Sequence, residues 1–418
     1  MAESALGTSR GSVGVEQASA LTQGLSICIP VLNEEGSIGE TLERCLALGP
    51  SLQAAGIASF EVIAVDDGST DRTADRVREY PQVRLIQHAV NRGYGAALKT
   101  GFAAASFSLI GFLDADATYP PEEFAALCRP ITDGRADLVI GSRMLGADSE
   151  MPLVRRIGNT FFATLLSLLG RSAVTDSASG MRVFRRETLG LLSPLPDGLN
   201  LTPVMSTRAV HERIAVLEVP ISYRERVGRS KLSVTQDGLR FLKTIVWTTL
   251  TYNPVRILGV IGLGGVGLAA LIGVALVAMR LSGVTELGPV GAFSVFAAVV
   301  FAVSGVSIFA LGASFNYLVS LFYKRPIRQG LFRTPVFKVP IERGFLPLGL
   351  ASLGTGIAAS LVSLVLAFRG WAIERLWLYL AASSLLILVG LQLAMWWLIM
   401  SVLRELSAGE LIAEGSRE

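Results

Sequence analysis

The sequence predicts two structural classes in one chain: an α/β, Rossmann-like domain on a mostly parallel sheet, then an α-helical transmembrane domain. Three observations carry this. Between Leu25 and Arg143, short apolar strands alternate with helical stretches, the pattern of parallel strands covered on both faces. After Asn253, four uncharged stretches each reach the ~20 residues that a bilayer core requires. The 418 residues are 51% hydrophobic and only 17% charged, against about 25% charged for a soluble protein. The missing charge falls almost wholly in the second half, which also explains the mean hydropathy of +0.52.

Residues 1–23 are rich in Ala, Ser and Gly without periodicity. With no basic segment leading into an apolar one, they read as a disordered cytosolic tail and not as a signal peptide. The α/β domain is expected over residues 24–232. Ser26–Leu32 is its first strand, followed by Asn33-Glu34-Glu35-Gly36. Ser37 with Glu40 three residues on predicts a capping box for a helix running to about Leu48. Phe60–Val65 is the second strand and ends in Asp66-Asp67-Gly68-Ser69-Thr70-Asp71. Val83–Gln87 is the third, and Asn91-Arg92-Gly93-Tyr94-Gly95 is a turn into a helix carrying Lys99. The fourth strand, from Leu109, ends in Asp114-Ala115-Asp116, after which Pro120 and Pro121 start a helix. Asp137–Arg143 holds the fifth.

Beyond it the pattern loosens. Leu153–Gly170 is a helical stretch bearing Arg155, Arg156 and Asn159; Asp176–Arg182 is a polar loop; Ala215–Tyr223 resembles an edge strand with Pro220 inside it. Arg226–Lys231 is a basic, glycine-containing loop. Residues 233–254 form a juxtamembrane helix whose apolar residues, among them Leu239, Leu242 and Ile245, repeat at helical spacing. It either lies at the membrane surface or packs on the first domain.

The four spans are expected within residues 255–403, as Ile257–Met279, Leu287–Tyr323, Phe345–Phe368 and Leu376–Leu403. The second is long enough to tilt, to break near Gly305 or to project beyond the bilayer. Lys324, Arg325, Arg328, Arg333, Lys338 and Arg343 crowd the middle loop. The positive-inside rule therefore puts that loop, both termini (residues 404–418 included) and the α/β domain in the cytosol. An integral protein of the plasma or inner membrane is expected if the source is bacterial.

Composition also excludes. A net charge of +3 with no Lys/Arg run argues against nucleic acid. Cys28, Cys45 and Cys128 are scattered, and His88 and His211 stand far apart, so neither zinc nor a disulfide framework is indicated and any metal should be held by oxygen. No P-loop motif is present, and no G-x-G-x-x-G follows the first strand as a dinucleotide fold would require. What remains is a set of charged residues at strand ends: Glu34, Asp66, Asp67, Asp114, Asp116 and Arg143. In open α/β sheets ligands bind beyond the strands' carboxyl ends. Two carboxylates one residue apart on an extended chain point the same way, and Mg²⁺ or Mn²⁺ is often shared between one or two carboxylates and a substrate's phosphates.

The runs Ile29-Pro30-Val31-Leu32-Asn33-Glu34, Val65–Asp71, Asn91-Arg92-Gly93 and Asp114-Ala115-Asp116, in that order, resemble the family 2 glycosyltransferases of GT-A fold. Gly141-Ser142-Arg143, Asp176–Arg182 and Arg226–Lys231 resemble the dolichyl- and polyprenyl-phosphate glycosyltransferases within it, such as dolichyl-phosphate mannose synthase. The likeness covers roughly Leu25–Leu232. It implies a metal-dependent hexosyltransferase that moves a sugar, with inversion, from a UDP- or GDP-linked donor to a polyprenyl phosphate. Pro30, Leu32, Glu34, Val65, Asp66, Asp67, Asp114 and Ala115 would bind the donor. Asp114 and Asp116 would hold Mg²⁺ or Mn²⁺, with Thr118 standing where many relatives place a glutamine ligand. Asp116, Arg143, Arg226 and Lys231 would act on the diphosphate and the acceptor phosphate, and Arg155, Arg156, Ser179 and Arg182 would shape the acceptor site. Partners are thus a nucleotide sugar, a lipid phosphate and the membrane, with an oligomer possible.

Leu199–Met205, where relatives that glycosylate alcohols often carry an acid, has none. This favours a phosphate acceptor, which is already ionised near neutral pH, over an alcohol such as diacylglycerol, which needs a general base. A non-catalytic membrane scaffold with a nucleotide-sugar-sensing domain is the alternative from another class.

Overall fold

The computed structural model describes residues 23–146, 149–169, 174–224, 234–284, 286, 288–323, 342–371 and 373–415. It divides into two units, one up to Ile245 and one from Val246.

In the first unit, strands β1 (Gly24–Val31), β2 (Ser59–Asp66), β3 (Val83–Gln87), β4 (Leu109–Phe112), β5 (Leu138–Ser142), β6 (Arg182–Arg185) and β7 (Val216–Pro220) form one sheet. Their order is β3-β2-β1-β4-β6-β5-β7. The pairs are parallel except those of β6, which runs antiparallel to both β4 and β5. The polar loop before Arg182 thus ends in a strand that hydropathy did not reveal, because four residues with an arginine at each end carry little apolar signal. Pro220 closes the edge strand β7, where its missing N–H disrupts no ladder on the outer side.

The helices of this unit are α1 (Ile38–Leu46), α2 (Gly49–Ala54), α3 (Thr73–Arg78), α4 (Tyr94–Ala104), α5 (Phe124–Thr132), α6 (Leu153–Leu169), α7 (Leu189–Leu192), α8 (Leu201–His211) and the start of α9 (Val234–Tyr252). Side chains alternate across a strand, which splits the core in two. Leu25, Ile27 and Ile29 of β1 pack with Leu42 of α1 and Leu127 of α5. Cys28, Ile63 and Val65 pack on the other face with Ala97, Leu98 and Phe102 of α4. All three cysteines are free and buried. Burial pushes the Cys45 and Cys128 thiols up to about 12, and Cys28 higher still, so they serve as small core residues, as expected of Cys28.

Two local expectations are corrected. Ser37 precedes α1, but its side chain makes no capping hydrogen bond; its hydroxyl donates to Glu34 Oε2 at 3.2 Å. The helix expected to reach Leu48 stops at Leu46, and a second, short helix starts at Gly49 with a proline in its first turn.

In the second unit, α9 continues to Tyr252 and is followed by α10 (Pro254–Leu281), α11 (Pro289–Tyr323), α12 (Glu342–Phe368) and α13 (Ile373–Gly415). Among the described residues, four segments are long and apolar enough to cross a membrane: Pro254–Leu281, Pro289–Asn316, Gly344–Phe368 and Leu376–Leu406. α11 runs unbroken through Gly305. That glycine serves close packing: a Cβ there would lie 2.7 Å from the Gly262 carbonyl of α10. Gly349 and Gly390 play the same part between α12 and α13. Small residues let apolar helices approach where lipid offers no hydrophobic drive. Gln392 of α13 adds a hydrogen bond to Ser307 of α11. The residues of the basic middle loop up to Pro340 and Ile341 lie outside the described residues.

Candidate active site

A cavity of about 540 Å³ opens at the carboxyl ends of β1, β2, β4 and β5. One side is formed by strand-end residues, including Pro30, Leu32, Glu34, Asp67, Asp114, Ala115, Asp116 and Arg143. The opposite side comes from the α6 segment through Met151, Val154, Arg155, Asn159 and Phe162, and from α9 through Arg240 and Phe241. The rings of Phe162 and Phe241 meet at 6.0 Å, closing that side with apolar surface.

The loops that follow β1 and β2 are tied to each other. Asn33 donates its N–H to Ser69 Oγ at 2.9 Å and accepts the Thr70 N–H on Oδ1 at 2.8 Å. Glu34 N–H donates to Thr73 Oγ1 at 2.8 Å. Asp71 accepts the Thr73 N–H at 3.0 Å and the Glu35 N–H at 3.3 Å. Burial alone would raise its pKa, but these hydrogen bonds outweigh that and hold the carboxyl below its ordinary range. Asn33 and Ala117, both non-glycine residues, have positive φ of 51° and 57°. Backbone held in that sparsely populated region gathers at functional sites, and both turns border the cavity.

Asp114 and Asp116 follow β4 directly. Tyr94 donates its hydroxyl to Asp114 Oδ1 at 2.8 Å; burial, then the Asp114 charge, raise the tyrosine's pKa well above 10, so it stays a donor. Gly180 packs against the same carboxylate, where a Cβ would collide with Asp114 Oδ2. Thr118 donates its hydroxyl to Asp116 Oδ1 at 2.7 Å. Among the described residues no group of three or more His, Cys, Asp or Glu could hold a metal by protein ligands alone. Two braced carboxylates facing a cavity suit a cation whose remaining ligands are substrate phosphates and water.

Arg143 enters from the end of β5. Its Nε and Nη2 donate to Asp176 at 2.7 and 2.8 Å, and its N–H adds a third bond to Asp176 Oδ2 at 3.0 Å. The guanidinium lies against the rings of Tyr119 and Tyr223, 5.8 and 5.3 Å from their centroids. Burial disfavours the charge, yet Asp176 overcomes it and holds Arg143 above its usual pKa. Asp176 is held below the ordinary carboxylate range for the reciprocal reason: burial opposes ionisation and Arg143 outweighs it. Asp176 is itself pinned by Glu218 of β7, which accepts its N–H at 3.0 Å.

The glycine turn before α4 does not cradle phosphate. Gly95 and Ala96 both donate their N–H groups to the Asp197 carbonyl, at 2.7 and 3.1 Å.

Several residues singled out in the sequence are placed away from the cavity. Asp66 is 2% exposed and accepts Ser69 N–H and Gln87 Nε2, so it shapes its loop. Val65 lies inside β2 in the core. Thr118 is 2% exposed and braces Asp116 without lining the cavity. Ser179, fully buried, donates its hydroxyl to the Gly141 carbonyl at 2.6 Å. Arg182, also fully buried, donates to the carbonyls of Ser179 and Ser177. Burial lowers its pKa to about 10 against the opposing pull of Asp176. Ser179 and Arg182 therefore support the loop from within; neither lines the acceptor-side wall. Arg156 is exposed and outside the lining, whereas Arg155 is part of it. Arg226 and Lys231 lie outside the described residues.

Conversely, Arg240, Phe241, Phe162, Tyr119 and Tyr223 line the cavity without having been singled out for it. For Arg240 the signal was there, a cation on the amphipathic α9, but nothing in the sequence showed that this face turns towards the strand ends.

Known proteins resemble the chain in sequence. The glycosyl transferase family 2 model matches residues 26–191, and a domain of unknown function (DUF8752) matches residues 254–414. The chain is 32% identical to the low-salt glycan biosynthesis hexosyltransferase Agl6 of Haloferax volcanii over 52% of each chain, so it spans about half of that relative's length. It is 33% identical to the dolichyl-phosphate hexose transferase of the same organism, over 53% of this chain and 92% of that protein. To the undecaprenyl-phosphate 4-deoxy-4-formamido-L-arabinose transferase of Edwardsiella ictaluri it is 28% identical, over 72% of this chain and 90% of that protein. With a relative at that identity covered almost end to end, and with the family's motifs lining one cavity, the chain belongs to glycosyl transferase family 2.

Proposed function

We propose that the protein transfers a sugar, with inversion, from a nucleotide diphosphate sugar to a polyprenyl phosphate. One observation carries the choice of acceptor. The four acids lining the cavity, Glu34, Asp67, Asp114 and Asp116, all follow strands β1, β2 and β4, while the α6 and α9 side offers Arg155 and Arg240 among Met151, Val154, Phe162 and Phe241. Cations set in apolar surface suit a phosphate on a hydrocarbon chain. No carboxylate among the described lining residues stands on that side to deprotonate an alcohol. Asp176, an acid outside the lining considered as a base, is fully buried and bonded through both oxygens to Arg143. The names of the relatives, lipid-phosphate sugar transferases in two cases, support the same reading.

In this reaction Pro30, Leu32 and Asp67 flank the nucleoside, and Asp114 with Asp116 would hold Mg²⁺ or Mn²⁺ beside the diphosphate. When bound, the cation supplies positive charge to the leaving phosphates. Arg143, immobilised by Asp176 and the two tyrosines, presents its remaining edge to the same charge without reorganising. The acceptor phosphate, ionised at neutral pH, is aligned by Arg155 and Arg240. Its oxygen attacks the anomeric carbon as the bond to the β-phosphate breaks and the nucleoside diphosphate leaves. Arg226 and Lys231 are proposed as further cations for this charge on the strength of the family resemblance. The basic residues between α11 and α12 support a cytosolic active site, on a plasma- or inner-membrane protein if the source is bacterial.

Membranes incubated with labelled nucleotide sugar are expected to yield a glycolipid labile to mild acid, as a glycosyl phosphate is. An acid-stable product would point to the alcohol acceptor, and full turnover in excess EDTA would remove the metal from the scheme. Gly180→Ala gives a finer check. Its methyl would displace the Asp114 carboxylate, and misplacing a catalytic group by about 1 Å lowers turnover on the order of a hundredfold. Wild-type turnover in that variant would show that the position of Asp114 is immaterial.

A further inference from the structure

Asp67 is a carboxylate with little acceptor capacity left. It follows β2 directly, and its side chain is 4% exposed. Oδ1 accepts the Arg92 N–H at 2.9 Å and lies 2.7 Å from His88 Nδ1; Oδ2 accepts the Gly93 N–H at 2.8 Å. The other ring nitrogen of His88 lies 2.9 Å from the hydroxyl of Thr100 on α4. A ring nitrogen that close to a carboxylate oxygen must carry a proton, so Nδ1–H donates to Asp67, while the Thr100 hydroxyl, which can donate or accept, holds the far side of the ring. An ionised carboxylate offers about four acceptor positions, two on each oxygen. Three are filled, both of those on Oδ1 among them. One position, on Oδ2, is left for whatever enters the cavity beside Pro30, Leu32 and Gly93.

Bases differ in what they offer to one such position. Guanine presents two parallel donors, its ring N–H and its amino group, and needs an open position on each oxygen. Adenine and cytosine set a ring nitrogen acceptor beside their amino group, which a carboxylate repels. Uracil and thymine present a single imide N–H. Resting on the reading of the cavity as a nucleotide-sugar site, we propose that the donor carries uracil or thymine, and that His88 enforces the choice by filling the Oδ1 position that guanine requires. His88 is then a specificity-determining residue acting through Asp67.

The test is calorimetric binding of UDP, dTDP, GDP, CDP and ADP to the full-length protein in detergent with Mg²⁺. UDP and dTDP are expected to bind at least about tenfold tighter than the others, since a lost hydrogen bond to a charged group with an unpaired donor left behind is worth that factor or more. GDP binding as tightly as UDP overturns the proposal while leaving the glycosyl-transfer reading intact; failure of all five to bind overturns both. His88→Leu opens the Oδ1 position and is expected to lower the UDP-to-GDP preference by about tenfold. His88→Gln, which keeps an N–H donor, should retain the preference. A wild-type preference in His88→Leu would remove His88 from the scheme.

Discussion

Replacing Asp116 by alanine is expected to lower sugar transfer by at least about a thousandfold, the upper range for losing one preorganised charge-stabilising group. Asp116 lines the cavity one residue beyond Ala115 and two beyond Asp114, so both carboxylates belong to the lining of one cavity. The prediction separates charge from shape. Asp116→Asn keeps an oxygen able to accept the Thr118 hydroxyl, 2.7 Å away in the native turn, but removes the negative charge. It should lose nearly as much activity as the alanine variant. Thr118→Val leaves the charge and removes the brace, and should cost about tenfold. Thermal unfolding should shift little in any of the three, because the bond to Thr118 is local. Labelled sugar incorporated into lipid is the measurement, and Asp116→Ala at a tenth of wild-type turnover or more would contradict the role.

How far the site could be read from sequence depended on how its residues are strung. Pro30, Leu32, Glu34, Asp67, Asp114, Ala115, Asp116 and Arg143 each follow or end a strand whose apolar run is visible in a few contiguous residues, and all of them line the cavity. Motif likeness was less able to separate a residue that meets the ligand from its neighbour beneath. Asp66, Thr118, Ser179 and Arg182 belong to the same runs but are turned inward, because strand and turn geometry sends adjacent side chains to opposite sides. The facing wall was illegible for another reason. Phe162 and Phe241 lie about eighty residues apart and meet only through the packing of α6 against α9, which hydrophobic periodicity in either helix does not encode. β6 was missed because half of its four residues are arginines. His88 shows the same limit: a lone histidine reads as structural, and its relevance appears only when its partner proves to be Asp67.

The largest effect on stability is expected at Asp176. The residue is fully buried and holds Arg143 through both carboxylate oxygens, and the Arg143 side chain is 13% exposed. Asp176→Ala therefore leaves a nearly buried guanidinium without its counter-ion, which costs about 3–5 kcal/mol. In a unit of this size that corresponds to a fall in Tm on the order of 10 °C. Activity should fall as well, since the guanidinium would be left resting on the Tyr119 and Tyr223 rings without the carboxylate that orients it. The pH dependence has a definite sign. The folded pKa of Asp176 is depressed, so its contribution is complete above the unfolded carboxylate value of about 3.9 and is lost as pH falls through the lower folded value. Wild-type Tm should drop over that acid range, and the drop should shrink in Asp176→Asn. A double replacement, Asp176→Leu with Arg143→Met, removes both charges from the interior and is expected to recover most of the stability lost in Asp176→Ala. It should recover none of the transfer. Recovery of transfer would show that the pair serves folding alone, and that Arg143 has no part in stabilising the diphosphate.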